Sequence, residues 1–128
     1  MKKLLNRAIL VICLTIAIGF TASAQSWYNS SAYQASAVVY TSHAYLLGFQ
    51  GYNSSASTVF IQVFNASVLP TNGSVPIIIL SVPANSNFTW TSNNAPEYLI
   101  KGITIVSSST GPTLTVTPAT AWFNVTYR

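Results

Sequence analysis

The stretch Thr58-Val59-Phe60-Ile61-Gln62-Val63-Phe64 decides the fold class of this chain. Val59, Ile61 and Val63 share one face at a period of two, while Phe60, Gln62 and Phe64 share the other, which marks a β-strand. Upstream, Asn53-Ser54-Ser55-Ala56-Ser57 is a turn cluster, His43 to Tyr52 reads as a strand, and Val38 to Tyr40 opens the sheet. Downstream, Pro70-Thr71-Asn72-Gly73-Ser74 is a turn in which Asn-Gly takes positive φ at little cost.

Val75 to Val82 (VPIIILSV) is apolar on both faces and is expected to be a central strand, with Pro76 confined to its first residues. After the turn Pro83-Ala84-Asn85-Ser86, Phe88 and Trp90 alternate with polar neighbours over Asn87 to Thr91. The loop Ser92 to Pro96 follows, then a strand over Tyr98 to Val106, where Gly102 points to a bulge or a close backbone approach. Beyond the turn Ser107 to Pro112, two clean alternations close the chain. Leu114 and Val116 interleave with threonines, and Phe123, Val125 and Tyr127 interleave with Trp122, Asn124, Thr126 and Arg128.

No segment after the leader holds a helical period for three turns. Short strands at even spacing predict an all-β, antiparallel two-sheet sandwich, of jelly-roll or Ig-like type, with seven or eight strands over residues 38–128. Residues 25–37 (QSWYNSSAYQASA) read as an extended polar arm or linker.

The beginning of the chain reads as an address. Lys2, Lys3 and Arg7 flank an apolar run from Ala8 to Phe20, and Ala22-Ser23-Ala24 places small side chains where a signal peptidase reads them. A signal peptide over residues 1–24 is expected, with a signal helix and cleavage before Gln25. The run is too short for a comfortable spanning helix, and Ile12 before Cys13 argues against a lipoprotein. The expected destination is secreted, periplasmic or at the extracellular surface, with no membrane attachment after cleavage.

Cleavage changes the electrostatics. The full chain carries a formal charge of +4, but Lys2, Lys3 and Arg7 leave with the leader, so Lys101 and Arg128 remain against Glu97. A nearly neutral surface has no counterion-release footprint, which excludes nucleic acid as an expected partner. The single cysteine, Cys13, also lies in the leader, so no disulfide framework is expected.

The inventory argues against catalysis. Glu97 is the one carboxylate and His43 the one histidine, too few for a carboxylate pair or a metal cluster. A Ser–His43–Glu97 triad lacks the Gly-x-Ser-x-Gly elbow. Neither enzyme activity nor a cofactor or metal is expected.

Aromatic side chains raise a carbohydrate alternative, with Trp27, Trp90 and Trp122 as candidates beside Tyr28, Tyr33 and Tyr52. Trp122 is the most informative: if Phe123, Val125 and Tyr127 face the core, Trp122 faces out beside Asn124. Asn29, Asn53, Asn65, Asn72, Asn87 and Asn124 head Asn-x-Ser/Thr sequons. The stronger functional expectation is a structural or surface-interaction module that self-associates through strand edges or the arm, its partner a copy of itself or another surface protein. Sandwiches ordinarily guard their edges with charges, and this chain has few.

One likeness emerges from the placed strands. Gly51 to Ser57 leading into Phe60 to Asn65, then Val75 to Phe88, Gly102 to Val106 before Ser108-Ser109-Thr110, and the ending Trp122 to Arg128 together resemble small β-sandwich proteins of the tailed-phage virion and capsid-decoration type. The resemblance covers about Tyr45 to Arg128 and implies a surface or decoration module. It carries no site residues, and the leader departs from it, since virion proteins assemble in the cytoplasm.

Intact-mass analysis of the exported protein is expected to give a chain beginning at Gln25; a chain beginning upstream of Thr21 would refute the cleavage reading.

Overall fold

A computed structural model describes residues 24–128; the expected signal segment lies outside the described residues apart from Ala24. Nine strands follow in order: β1 (Ser26–Asn29), β2 (Ser36–Tyr40), β3 (Ala44–Asn53), β4 (Val59–Asn65), β5 (Ile78–Val82), β6 (Ser86–Thr91), β7 (Glu97–Leu99), β8 (Ile103–Ser108) and β9 (Ala121–Tyr127). Sheet I has the order β1-β9-β3-β6, with β7 pairing the start of β3, and sheet II has the order β2-β8-β4-β5.

All pairings are antiparallel and nested. β4 pairs β5, β3 pairs β6, β2 pairs β8 and β1 pairs β9, so the chain is one long ribbon folded at the β4–β5 end. Rolling the ribbon lets β9 also pair β3, and β8 also pair β4. That is the strand order of a jelly roll. The expected two-sheet sandwich is therefore the observed one.

The inward residues of the two sheets make a single core. Phe49, Phe88, Phe123 and Val125 of sheet I face Val59, Ile61, Val63, Ile103 and Ile105 of sheet II. Phe88 lies between Phe49 and Phe123, with tilted ring centroids 6.4 and 6.5 Å away. Alternation in β9 follows the sequence pattern, with Ala121, Phe123 and Val125 buried and Trp122, Asn124 and Thr126 half-buried.

Four elements depart from the sequence expectation. Residues 25–37 are not a separate arm. Ser26–Asn29 pair residue for residue with Asn124–Tyr127 of β9, and Ser36 already pairs with Val106. β9 would otherwise expose its backbone, so the chain's own N-terminal segment supplies the missing ladder. Second, the apolar run Val75–Val82 is not central: β5 is the edge of sheet II. Its inward side chains Ile78 and Leu80 pack on the core, while Ile77 and Ile79 are exposed.

Third, Tyr98 to Val106 is two strands. β7 belongs to sheet I and β8 to sheet II, and Gly102 at φ 141° marks the crossing. A Cβ there would sit 2.5 Å from the Tyr40 carbonyl oxygen, so Gly102 is a close backbone approach. Fourth, Thr113–Thr117 is not a ladder strand: an isolated Ser108–Val116 bridge is its β pairing. The connection from Ser109 to Thr120 instead covers the outer face of sheet II.

Leu114 anchors that cover against Phe64 and Val106. The Gln62 side-chain amide donates to the carbonyls of Thr110 at 2.7 Å and Gly111 at 2.8 Å. Leu114 N–H donates to Ser74 O, and Gly73 N–H to Leu114 O, both at 2.8 Å. With both faces covered, every residue of β8 is buried.

Asn53 ties the opposite corner. Fully buried, it donates its amide to the carbonyls of Pro83 at 2.8 Å and Ser57 at 3.0 Å, and its Oδ1 accepts the Ser55 N–H. At the other end, Arg128 exchanges backbone bonds of 3.0 and 2.7 Å with Tyr45, and its guanidinium lies 5.7 Å from the Tyr45 ring centroid.

Gly51 is the tightest point of the sandwich. A Cβ there would lie 1.8 Å from the Trp122 carbonyl oxygen and 2.6 Å from the Phe88 ring. Because backbone must shift to admit it, Gly51→Ala is expected to destabilise the fold by about 3 kcal/mol or more. Gly73→Ala, at φ 90° with open space around it, should cost only about 1 kcal/mol. Urea unfolding of the two variants checks the ranking.

Candidate functional site

The outer face of sheet I carries most of the surface residues that the sequence singles out. Register sets its rows. Trp27 lies opposite Thr126, which lies opposite Gly48, which lies opposite Thr91. The next row runs Asn29, Asn124, Gln50, Thr89, and the third runs Trp122, Tyr52, Asn87. Period-two alternation puts all of them on the side away from Phe49, Phe123 and Val125. No residue of these rows is charged.

Trp122 is held in place. Its indole N–H donates to the Ser30 carbonyl at 3.0 Å. Ser30 is itself buried and clamped to β9: its N–H donates to Phe123 O at 2.8 Å, and its hydroxyl accepts the Phe123 N–H at 3.1 Å. Gln34 completes the clamp by accepting from the Ser30 and Tyr28 hydroxyls. The Asn124 side-chain amide donates to Asn29 Oδ1, tying β9 to β1 on the outer face.

Three shallow depressions follow one another as a trough, the first and second sharing Gln50 and Thr89, the second and third sharing Asn124 and Thr126. The first, of about 390 Å³, is bounded by Gln50, Tyr52, Asn87, Thr89 and Trp122. A smaller one of about 140 Å³ continues it over Gln50, Thr89, Asn124 and Thr126. The third, of about 320 Å³, ends against Trp27 and Asn29. Trp27, exposed at 66 %, and Trp122 thus stand at the two ends. Four residues of β9 separate Trp122 from the row of Trp27, about 13 Å along the strand.

Trp27, Trp122 and Asn124 are therefore brought together, and Trp90 is not. Trp90 is half-buried on the inward side, stacked on Phe49 at 5.3 Å with 15° between ring planes. It is a packing residue. Tyr28 also faces inward against the core, whereas Tyr52 joins the trough. Gln50 and Thr89 were not singled out from the sequence; their alternation with Phe49 and Phe88 was the available signal.

A second surface lies at the β5 edge, where Leu80 to Pro83 share a depression with Asn87 and Thr89 of this face. β5 ends sheet II, and Ile77 and Ile79 are about half exposed beside Val75, exposed at 74 %. Val68 and Leu69 are also exposed. No residue from Val59 to Val82 is charged, and Lys101 stands at the far end of β4, its N–H donating to Asn65 Oδ1 at 2.8 Å.

His43 and Glu97 do not meet. Glu97 stands opposite Leu46, while His43 precedes Ala44, the first paired residue of β3, so about 10 Å of strand separates them. Among the described residues, the His43 ring bonds with the neighbouring Ser42 hydroxyl alone, at 3.3 Å. Among the described residues no cluster of three metal-ligating side chains occurs, and no helix is long and apolar enough to cross a membrane.

Together these features define an all-β jelly roll with an uncharged polar-aromatic face and an uncharged apolar edge. No protein-family model, curated protein or solved structure matches the chain.

The sequons differ in access. The Asn53 amide nitrogen, where a glycan would attach, is buried on carbonyl acceptors, whereas Asn72 and Asn87 are exposed. Expressed in a glycosylating host, the folded protein is expected to carry glycan at Asn72 or Asn87 and none at Asn53, as peptide mass mapping would show.

Proposed function

We propose that this chain is an exported, non-enzymatic structural module that associates with copies of itself through the β5 edge of sheet II. The observation that carries the reading is a comparison of the four sheet edges. β1 is four residues long. β2 is broken by a register shift between Val38 and Tyr40. The far edge of sheet I is interrupted between β6 and β7 by a loop with Asn93 and Asn94 at positive φ. Shortness, bulges and interruption are ways in which proteins blunt an edge.

β5, five residues long, is neither bulged nor interrupted, and it carries no lysine. Its outer backbone, unpaired among the described residues, is flanked by exposed isoleucines, the arrangement that adds another strand. A second copy fits because an antiparallel pair about a twofold axis sets the same apolar, uncharged edge against itself, with no like charges to oppose it. With Ser26–Asn29 held on their own β9, association by a free arm has no support, and the edge route remains.

The non-enzymatic part rests on the separation of His43 from Glu97. Export rests on the leader-like residues 1–24. The decoration-protein likeness of Tyr45 to Arg128 agrees with a module that works by its surface, although a shared fold leaves function to the surface residues.

Light scattering on the exported protein is expected to show a concentration-dependent dimer or larger species. Ile79→Lys, on an exposed position, should return it to monomer with unchanged circular dichroism. A wild-type protein that stays monomeric up to its solubility limit would refute the proposal.

A further inference from the structure

We propose that the outer face of sheet I is a binding platform for an uncharged oligosaccharide. The trough is bounded by indole rings at both ends, Trp122 and Trp27, with amide and hydroxyl groups between them. A sugar ring has the same duality: a C–H face that lies on an aromatic π-system, and a rim of hydroxyls that both donate and accept. Gln50 and Asn124 offer a donor and an acceptor each, which matches that rim, and Thr89 adds a hydroxyl. Ligand sites of this kind combine aromatic walls with a few placed polar groups.

Charge selects among ligands. None of the three rows that bound the trough holds a charged side chain, and Arg128, one row beyond Thr126, has its guanidinium 5.7 Å from the Tyr45 ring centroid. Between the two indoles an acidic polymer therefore finds no cation and a basic peptide no carboxylate. The centre of the face also argues against a protein partner. Cores of protein interfaces are apolar, and here the centre is Asn124, Gln50 and Thr89. The apolar surface suited to a second copy lies on sheet II instead.

Preorganisation supports binding. Trp122 is fixed through the Ser30 carbonyl, and Asn124 through Asn29, so a ligand would not have to order these side chains. The length of the trough points to an oligosaccharide: about 13 Å of strand between the indoles is more than one sugar ring covers.

The test is calorimetric titration with neutral gluco-, manno- and xylo-oligosaccharides of increasing length, beside a uronic-acid oligomer as the acidic counterpart. At least one neutral series should bind, more tightly with length until the trough is filled, and with no dependence on salt. Trp27→Ala should remove the gain from length, and Gln50→Ala should weaken binding about tenfold or more, which is ~1.4 kcal/mol. Both residues are exposed, so folding should survive, and circular dichroism verifies it. Trp122→Ala should abolish binding. Ile79→Lys should leave it unchanged, which separates this platform from the β5 edge. The proposal is overturned if no neutral series binds, if binding survives both Trp27→Ala and Gln50→Ala, or if only the acidic oligomer binds.

Discussion

Seven residues of β9 run beside β3 at the centre of sheet I, and both surfaces of that sheet depend on this ladder. On its inward side it sets Phe123 opposite Gly51 and Val125 opposite Phe49, which gives the core its aromatic layer. On its outward side the same register sets Asn124 opposite Gln50 and Trp122 opposite Tyr52. A slip by one residue would exchange the two faces. Gly51 enforces the register, because only a residue without a Cβ admits the Trp122 carbonyl and the Phe88 ring together.

A jelly roll joins strands far apart in sequence, and this one does so without a disulfide, since the chain has a single cysteine. The loop-closure cost is met by burial in the core and by side-chain amides that reach between connections. Asn53 links the β3–β4 turn to the β5–β6 turn, and Gln62 links β4 to the cover over sheet II. Neutral amides in these roles have a physical consequence. Their bonds are insensitive to salt and to protonation, unlike ion pairs. The scarcity of charge that leaves the surface neutral thus also governs how the interior corners are fastened.

Much of this architecture was legible in period-two patterns. Alternation groups Val59, Ile61 and Val63 on one face, and with Phe123 and Val125 in the core it turns Trp122 and Asn124 outward. What was hidden depended on neighbours in space. Ser26–Asn29 has no apolar alternation, and it becomes a strand because β9, nearly the whole domain away, needs a partner. VPIIILSV reads as central because it is apolar throughout, yet β8 holds the doubly covered position. The difference lies in the cover: Leu114 reaches β8 and β4 and leaves β5 outside it. Trp90 and Trp122 look alike in sequence, and only register separates the one stacked on Phe49 from the one aimed outward.

The two surfaces sit on different sheets, and this has a consequence for how they could act together. Pairing at β5 extends sheet II and touches neither Trp27 nor Trp122. Each copy joined in that way would keep Trp27 and Trp122 open to solvent, with the new strand nearest the trough at Asn87 and Thr89, which border the same depression as Leu80 to Pro83. Two modest sites held at a fixed separation bind a long, repetitive ligand far more tightly than either alone, because the second contact is intramolecular. An uncharged platform on a small sandwich is expected to be individually weak, since it lacks charge-assisted bonds. Self-association at the opposite sheet is therefore the arrangement that would make such a face effective on a polymeric surface.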